Sequence, residues 1–137
     1  MKKYLLTKYL INELIYGSIE NRGIISNKLE TLIQKNESLF VSILSLNQIL
    51  ENEQNLDERK KILSNIKKLA EKILLVDTDD LPLALGLETE FSISHSHAVE
   101  LIIAQKSGMD FILTTQSKKE FGSQKMISVI ELILESK

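Results

Sequence analysis

The stretch Ser94-His95-Ser96-His97-Ala98-Val99-Glu100-Leu101-Ile102-Ile103-Ala104-Gln105-Lys106-Ser107-Gly108-Met109-Asp110-Phe111-Ile112-Leu113-Thr114-Thr115-Gln116 decides how the chain is read. Ser94 is a good helix N-cap, because a serine hydroxyl can accept from a backbone N–H that the first turn leaves free. Ala98, Val99, Leu101, Ile102, Ile103 and Ala104 are apolar nearly all round, the pattern of a helix inside a core, and Lys106, Ser107 and Gly108 stop it. Phe111-Ile112-Leu113-Thr114 is then expected as a buried strand. A core helix feeding a core strand is the repeating step of a parallel sheet covered by helices.

Working outward, Tyr4-Leu5-Leu6 reads as a strand, and Leu10, Ile11, Leu14 and Ile15 change to helical spacing. A turn over residues 17–23 leads to a second helix, capped by Asn27 with Glu30 three positions on and striped by Leu29, Leu32 and Ile33. Leu39-Phe40-Val41-Ser42 predicts a strand, and Ser45 with Gln48 spells a capping box ahead of Leu46, Ile49 and Leu50. After a polar loop at 51–55, Ile62, Leu63, Ile66, Leu69 and Ile73 mark an amphipathic helix. Ile73-Leu74-Leu75-Val76, closed by Asp77, Thr78, Asp79 and Asp80, predicts a central strand buried on both faces. Pro82 suits the first turn of a helix reaching about Glu90. Ser117 and Glu120 offer another capping box, and residues 126–134 fit a strand or a helix. The alternation predicts an α/β fold: one domain over residues 1–137, a three-layer α/β/α sandwich with a central parallel sheet and right-handed crossovers.

Composition agrees with one folded domain: 137 residues, 43% hydrophobic and 26% charged. The net charge of −2 gives no global drive toward nucleic acid, and no DNA partner is expected. Cysteine is absent, which excludes disulfides and thiolate metal sites. Lys8, Asn12 and Glu13 interrupt the apolar start before it forms a signal core, and no run approaches the ~20 apolar residues of a membrane span. These features predict a cytoplasmic protein without a membrane partner.

Four patterns carry a resemblance: Tyr4-Leu5-Leu6-Thr7; Leu39-Phe40-Val41-Ser42 running into Ser45-Leu46-Asn47-Gln48; Phe91-Ser92-Ile93-Ser94-His95-Ser96-His97-Ala98; and Gly108-Met109-Asp110-Phe111-Ile112-Leu113-Thr114-Thr115-Gln116. In this order and spacing, over nearly the whole chain, they resemble the PIN (ribonuclease-like) family. The resemblance implies a PIN-like sandwich with an acidic cluster at the carboxyl ends of its strands, holding Mg²⁺ or Mn²⁺ for hydrolysis of RNA. This chain departs at every acidic place. The Asp expected after the first strand falls at Thr7, the Glu of the third helix at Gln48, the Asp opening the buried helix at His97, and the Asp after the fourth strand at Gln116. Hard cations require anionic oxygen ligands, so a degenerate site with no metal, no cofactor and no catalytic residue is expected.

Lys8, Ser96, Glu100 and Thr115 are expected around the same pocket. Glu100 lies one turn beyond His97 and, with Glu13, Glu51 or Asp110, is the candidate for a relocated metal site; Glu13 and Glu51 read more simply as solvated groups. His95 and His97 are two apart and do not share a helical face, so zinc is not expected, and His97 reads as a polar, partly exposed third residue behind the Ser94 cap. Helix starts near Gln48 and His97, with Lys8, Lys118 and Lys119, would suit a phosphate bound without metal. The lysines of residues 59–72 are balanced by acids and lack interleaved aromatics. The function expected is a catalytically inactive interaction module, a homodimer by family resemblance or bound to another protein. The alternatives are a metal-independent RNA or phosphate binder and a toxin-like ribonuclease with relocated carboxylates.

Overall fold

In the computed structural model, which describes residues 1–135, five strands form one parallel sheet: β1 (Lys3–Leu6), β2 (Ser38–Ser42), β3 (Lys72–Leu74), β4 (Phe111–Thr114) and β5 (Ser128–Glu131). Their spatial order is β3-β2-β1-β4-β5. Leu5 sits opposite Phe40 on one side and Ile112 on the other, so β1 is the central strand. Six helices connect them: α1 (Lys8–Tyr16), α2 (Ile19–Gln34), α3 (Ile43–Asn52), α4 (Leu56–Leu69), α5 (Asp80–Phe91) and α6 (His95–Lys106).

The two-residue period of a strand sends alternate side chains to opposite faces. Leu6 and Val41 pack with α1 to α4 through Leu10, Ile25, Ile49 and Ile66, whereas Leu5, Phe40 and Ile112 pack with α5 and α6 through Ala84, Leu101 and Ile103. The result is the expected α/β/α sandwich. In α6 every residue from His97 to Ala104 is buried: Ala98, Val99 and Leu101 to Ala104 as the apolar run predicts, with the polar His97 and Glu100 enclosed among them. No helix among the described residues is long and apolar enough to cross a membrane.

Several local expectations are corrected. The second helix is capped by Ser18 rather than Asn27, its hydroxyl accepting from the Asn21 N–H, and Gly23 lies inside the helix. Burial of Ile25, Leu29 and Leu32 on one face outweighs the roughly 1 kcal/mol cost of a helical glycine. The Ser45–Gln48 capping box is absent: Ser42 caps α3, so Gln48 lies in its second turn. The amphipathic helix stops at Leu69, because the Glu71 N–H bonds to the Leu39 carbonyl and starts β3. That strand is an edge, not the centre, and Lys72 on it is exposed. Ser117 caps a 3-10 turn at Lys118–Phe121. The tail contains β5, parallel to β4, and its last two residues lie outside the described ones.

Candidate functional site

Parallel strands bring their carboxyl ends together, and here β1 and β2 pass directly into helices. Thr7 and Ser42 end the strands and cap α1 and α3, and Thr114 ends β4 beside them; all three are buried. The Thr7 hydroxyl donates to Thr114 Oγ1 at 3.1 Å and accepts from the Leu10 N–H at 3.4 Å. Thr114 Oγ1 also accepts from the Gln116 N–H at 3.1 Å. Hydroxyls that serve as caps here satisfy the backbone groups that a strand-to-helix junction leaves free.

Over this floor stands the first turn of α6. The Ser94 hydroxyl accepts from the His97 N–H at 3.2 Å and also bonds the imidazole Nδ1, while Nε2 lies 2.8 Å from Gln116 Oε1. Both ring nitrogens are thereby engaged, Nδ1 with the Ser94 hydroxyl and Nε2 with the Gln116 amide. The ring stacks on Tyr9 at 5.7 Å and meets Phe121 edge-on at 4.7 Å. His97 is therefore packed and bonded on all sides, and only 6% exposed, rather than partly exposed as its sequence position suggests.

Glu100 lies behind it. Its Oε1 accepts from the hydroxyls of Ser42 and Ser45, the latter at 3.0 Å, whereas Oε2 is enclosed without a hydrogen-bond partner among the described residues. Burial pushes the carboxyl up to about 7, against the opposing influence of the two hydroxyls and the Lys8 ammonium. Ser42, Ser45 and Thr114 were not legible as site residues. The signal was the Ser-x-x-Ser spacing at the end of a predicted strand, which reads equally well as helix capping.

The structure gathers Thr7, Lys8, Gln48, Ser96, His97 and Glu100 around one cleft, with Gln116 joined to it through His97. Gln48 Nε2 donates to Ser96 Oγ across it at 3.5 Å. Thr115 is not among them; it lines a neighbouring groove with Asn12 and Glu13. Glu13, expected to be solvated, is half-buried with its Oε2 enclosed and unpartnered among the described residues, while Glu51 is exposed as expected. Asp110 sits at the opposite end of the sheet, accepting from the Lys3 N–H at 2.8 Å. Lys118 and Lys119 face a separate groove beside β5.

These residues do not fit the divalent cation that the resemblance implies. Among the described residues Glu100 is the one carboxylate lining the cleft, and the remaining free volume is about 10 Å³, the lower limit for one water. Mg²⁺ or Mn²⁺ would arrive with several waters and require more anionic oxygen. Among the described residues no group of three or more His, Cys, Asp or Glu is placed to hold a metal.

Strand order, helix layers and the cleft at the carboxyl ends of β1, β2 and β4 match a PIN-like α/β/α fold. Its fold is similar to solved toxin–antitoxin structures. VapBC2 from Rickettsia felis, bound to a fragment of its promoter DNA, superposes with a TM-score of 0.73 at 14% identity, over 94% of this chain and 98% of that one. A toxin–antitoxin complex from Klebsiella pneumoniae gives 0.72 at 14% identity, over 96% and 99%. DNA-bound VapBC from Salmonella typhimurium gives 0.67 at 14% identity, over 97% and 100%. No protein-family model and no curated protein matches the sequence.

Proposed function

We propose that this chain is a PIN-like domain that binds a partner rather than cutting RNA. The carrying observation is the bond between His97 and Gln116: two positions where the resemblance implies carboxylates instead hold an imidazole and an amide that bond each other. Thr7, at a third, is tied to Thr114, and Gln48, at the fourth, reaches Ser96. Glu100 alone cannot both neutralise a phosphate-bound cation and activate water, and its Oε1 is committed to two serines. This argues against the relocated-carboxylate ribonuclease.

The partner is another protein or a second copy of this chain, met in the cytoplasm. Exposed Leu81, Leu83 and Leu85 on α5 supply apolar surface for such a contact. The similar solved structures are toxin–antitoxin complexes, which supports a protein partner.

Thermal melting in EDTA, Mg²⁺ and Mn²⁺, run beside a ribonuclease assay on a labelled single-stranded RNA, tests the reading. Equal melting temperatures and intact RNA are expected, since a ligand that binds only the folded form must raise its stability. A Mn²⁺-dependent rise accompanied by cleavage would overturn it.

A further inference from the structure

We infer that the domain carries a second site, a basic groove beside β5 that takes the phosphodiester backbone of a single-stranded nucleic acid. This goes beyond the protein-binding reading: it rests on the absence of catalysis proposed above and adds a second ligand, outside the strand-end cleft.

The groove is an open surface depression of about 700 Å³, far larger than the cleft. Lys118 and Lys119 enter it from the 3-10 turn and Lys125 from the loop ahead of β5, with the hydroxyls of Ser123 and Ser128 between them. Among the described residues no carboxylate lines it, and the three lysines take part in no ion pair, in contrast to Lys61 and Lys106. The two nearest acids in sequence, Glu120 and Glu131, are not part of the lining, although Glu131 accepts from the Lys118 backbone N–H at 3.0 Å and so lowers the local excess of positive charge without cancelling it. In a chain of net charge −2, three such ammonium groups around one hollow are a local reversal of sign.

The walls are fixed before any ligand arrives. Gln124 Oε1 accepts from the Met126 and Ile127 N–H groups at 2.6 and 3.0 Å, and its Nε2 donates to the Ile127 carbonyl at 2.9 Å. Gly122 turns the chain at φ +75, so close to Phe91 that a Cβ there would stand 2.8 Å from Phe91 Cβ. A braced loop loses little entropy when its lysines are engaged.

The lining chemistry selects the ligand. Its ammonium and hydroxyl groups are chiefly donors, which suits a phosphodiester offering only acceptors. An acidic peptide would also bring backbone N–H groups, and the Gln124 amide oxygen that could receive them is already used twice. No aromatic side chain among the described residues lines the groove, so bases have no stacking platform and binding is tolerant of sequence. A flexible single strand can follow such an open groove and bring successive phosphates to the three lysines.

Fluorescence anisotropy of the full chain with labelled twelve-residue oligouridylate, in EDTA, tests the inference. Binding is expected to weaken with salt at a log–log slope of about −2, from three phosphates each contributing about −0.7. The triple variant K118Q/K119Q/K125Q should bind about tenfold or more weakly at low salt, while K60Q/K67Q/K68Q, with the same charge change on α4, should change affinity less than about threefold. All three groove lysines are exposed, so an unchanged far-UV spectrum is expected, and the single reversal Lys125→Glu provides a second variant. Equal losses from both triples, no binding to oligouridylate, or equal displacement by polyglutamate would overturn the groove. Cleavage of the oligomer on adding Mn²⁺ would instead defeat the non-catalytic reading and leave the groove standing.

Discussion

His97 Nε2 stands 2.8 Å from Gln116 Oε1, so the first turn of α6 is tied to the end of β4 by one neutral hydrogen bond. No carboxylate stands at the four positions where the PIN resemblance implies one. Placing carboxylates at Thr7, Gln48, His97 and Gln116 (T7D/Q48E/H97D/Q116D) is expected to lower stability in EDTA through mutual repulsion and to create a rise in melting temperature with Mn²⁺. At a hundredfold excess over Kd the metal would add about 2.7 kcal/mol. A folded variant indifferent to Mn²⁺ would count against this placement of the four positions.

Glu100 makes stability fall as pH rises. Its carboxyl ordinarily titrates at 4.5 and is pushed up to about 7 by burial, so between these values the folded chain holds a proton that the unfolded chain has released. The stabilisation is therefore complete below about pH 4.5 and lost as pH climbs through 7. Glu100→Gln keeps an oxygen for Ser42 and Ser45 and removes the charge. Urea unfolding at pH 5 and pH 8 should show a much flatter dependence for the variant and, at pH 8, a gain of up to about 3 kcal/mol over the parent.

Two glycines should respond in opposite directions to alanine. Gly122 has φ +75 and meets Phe91, so Gly122→Ala is expected to cost about 1–3 kcal/mol. Gly23 lies in α2, where an added methyl would meet nothing within 4 Å, so Gly23→Ala should add about 0.5–1 kcal/mol. Chemical denaturation midpoints of the two variants decide both signs.

Lys106 closes the far end of α6 onto the start of α5, with Nζ donating to Asp77 Oδ2 at 3.0 Å and to the buried Asp80 Oδ2 at 2.6 Å. The Lys106 bond, and after it the Asp77 N–H donating to the same oxygen at 2.7 Å, hold the Asp80 carboxyl below its usual range. The stability so gained is present above the unfolded-state pKa and disappears as pH falls through the folded one. Lys106→Met should cost about 2 kcal/mol near neutral pH, because Asp80 is left buried without a counter-charge. The gap between variant and parent, followed by urea unfolding, should narrow on acidification.

Much of the architecture was readable because it depends on which face of each element meets water. The run from Ala98 to Ala104, apolar but for Glu100, announced a core helix, and the alternation of strand and helix announced a parallel sheet. Capping was less legible. Ser42 and Ser45 are both sound N-cap residues, and only the fold shows Ser42 serving α3 while the Ser45 hydroxyl is drawn to Glu100. Likewise Ile73 to Val76 has the composition of a central strand, yet β3 lies at the edge.

The sequence alone determined the layer pattern, the burial of α6 and the neutrality of Thr7, Gln48, His97 and Gln116, since periodicity and side-chain charge are properties of short stretches. Tertiary structure decided the partners. Glu100 reaches Ser42 and Ser45 across 58 and 55 residues, and Thr7 reaches Thr114 across 107. Those meetings follow from a strand order that sets β2, β1 and β4 side by side, and strand order is settled by how all the elements bury their apolar faces together.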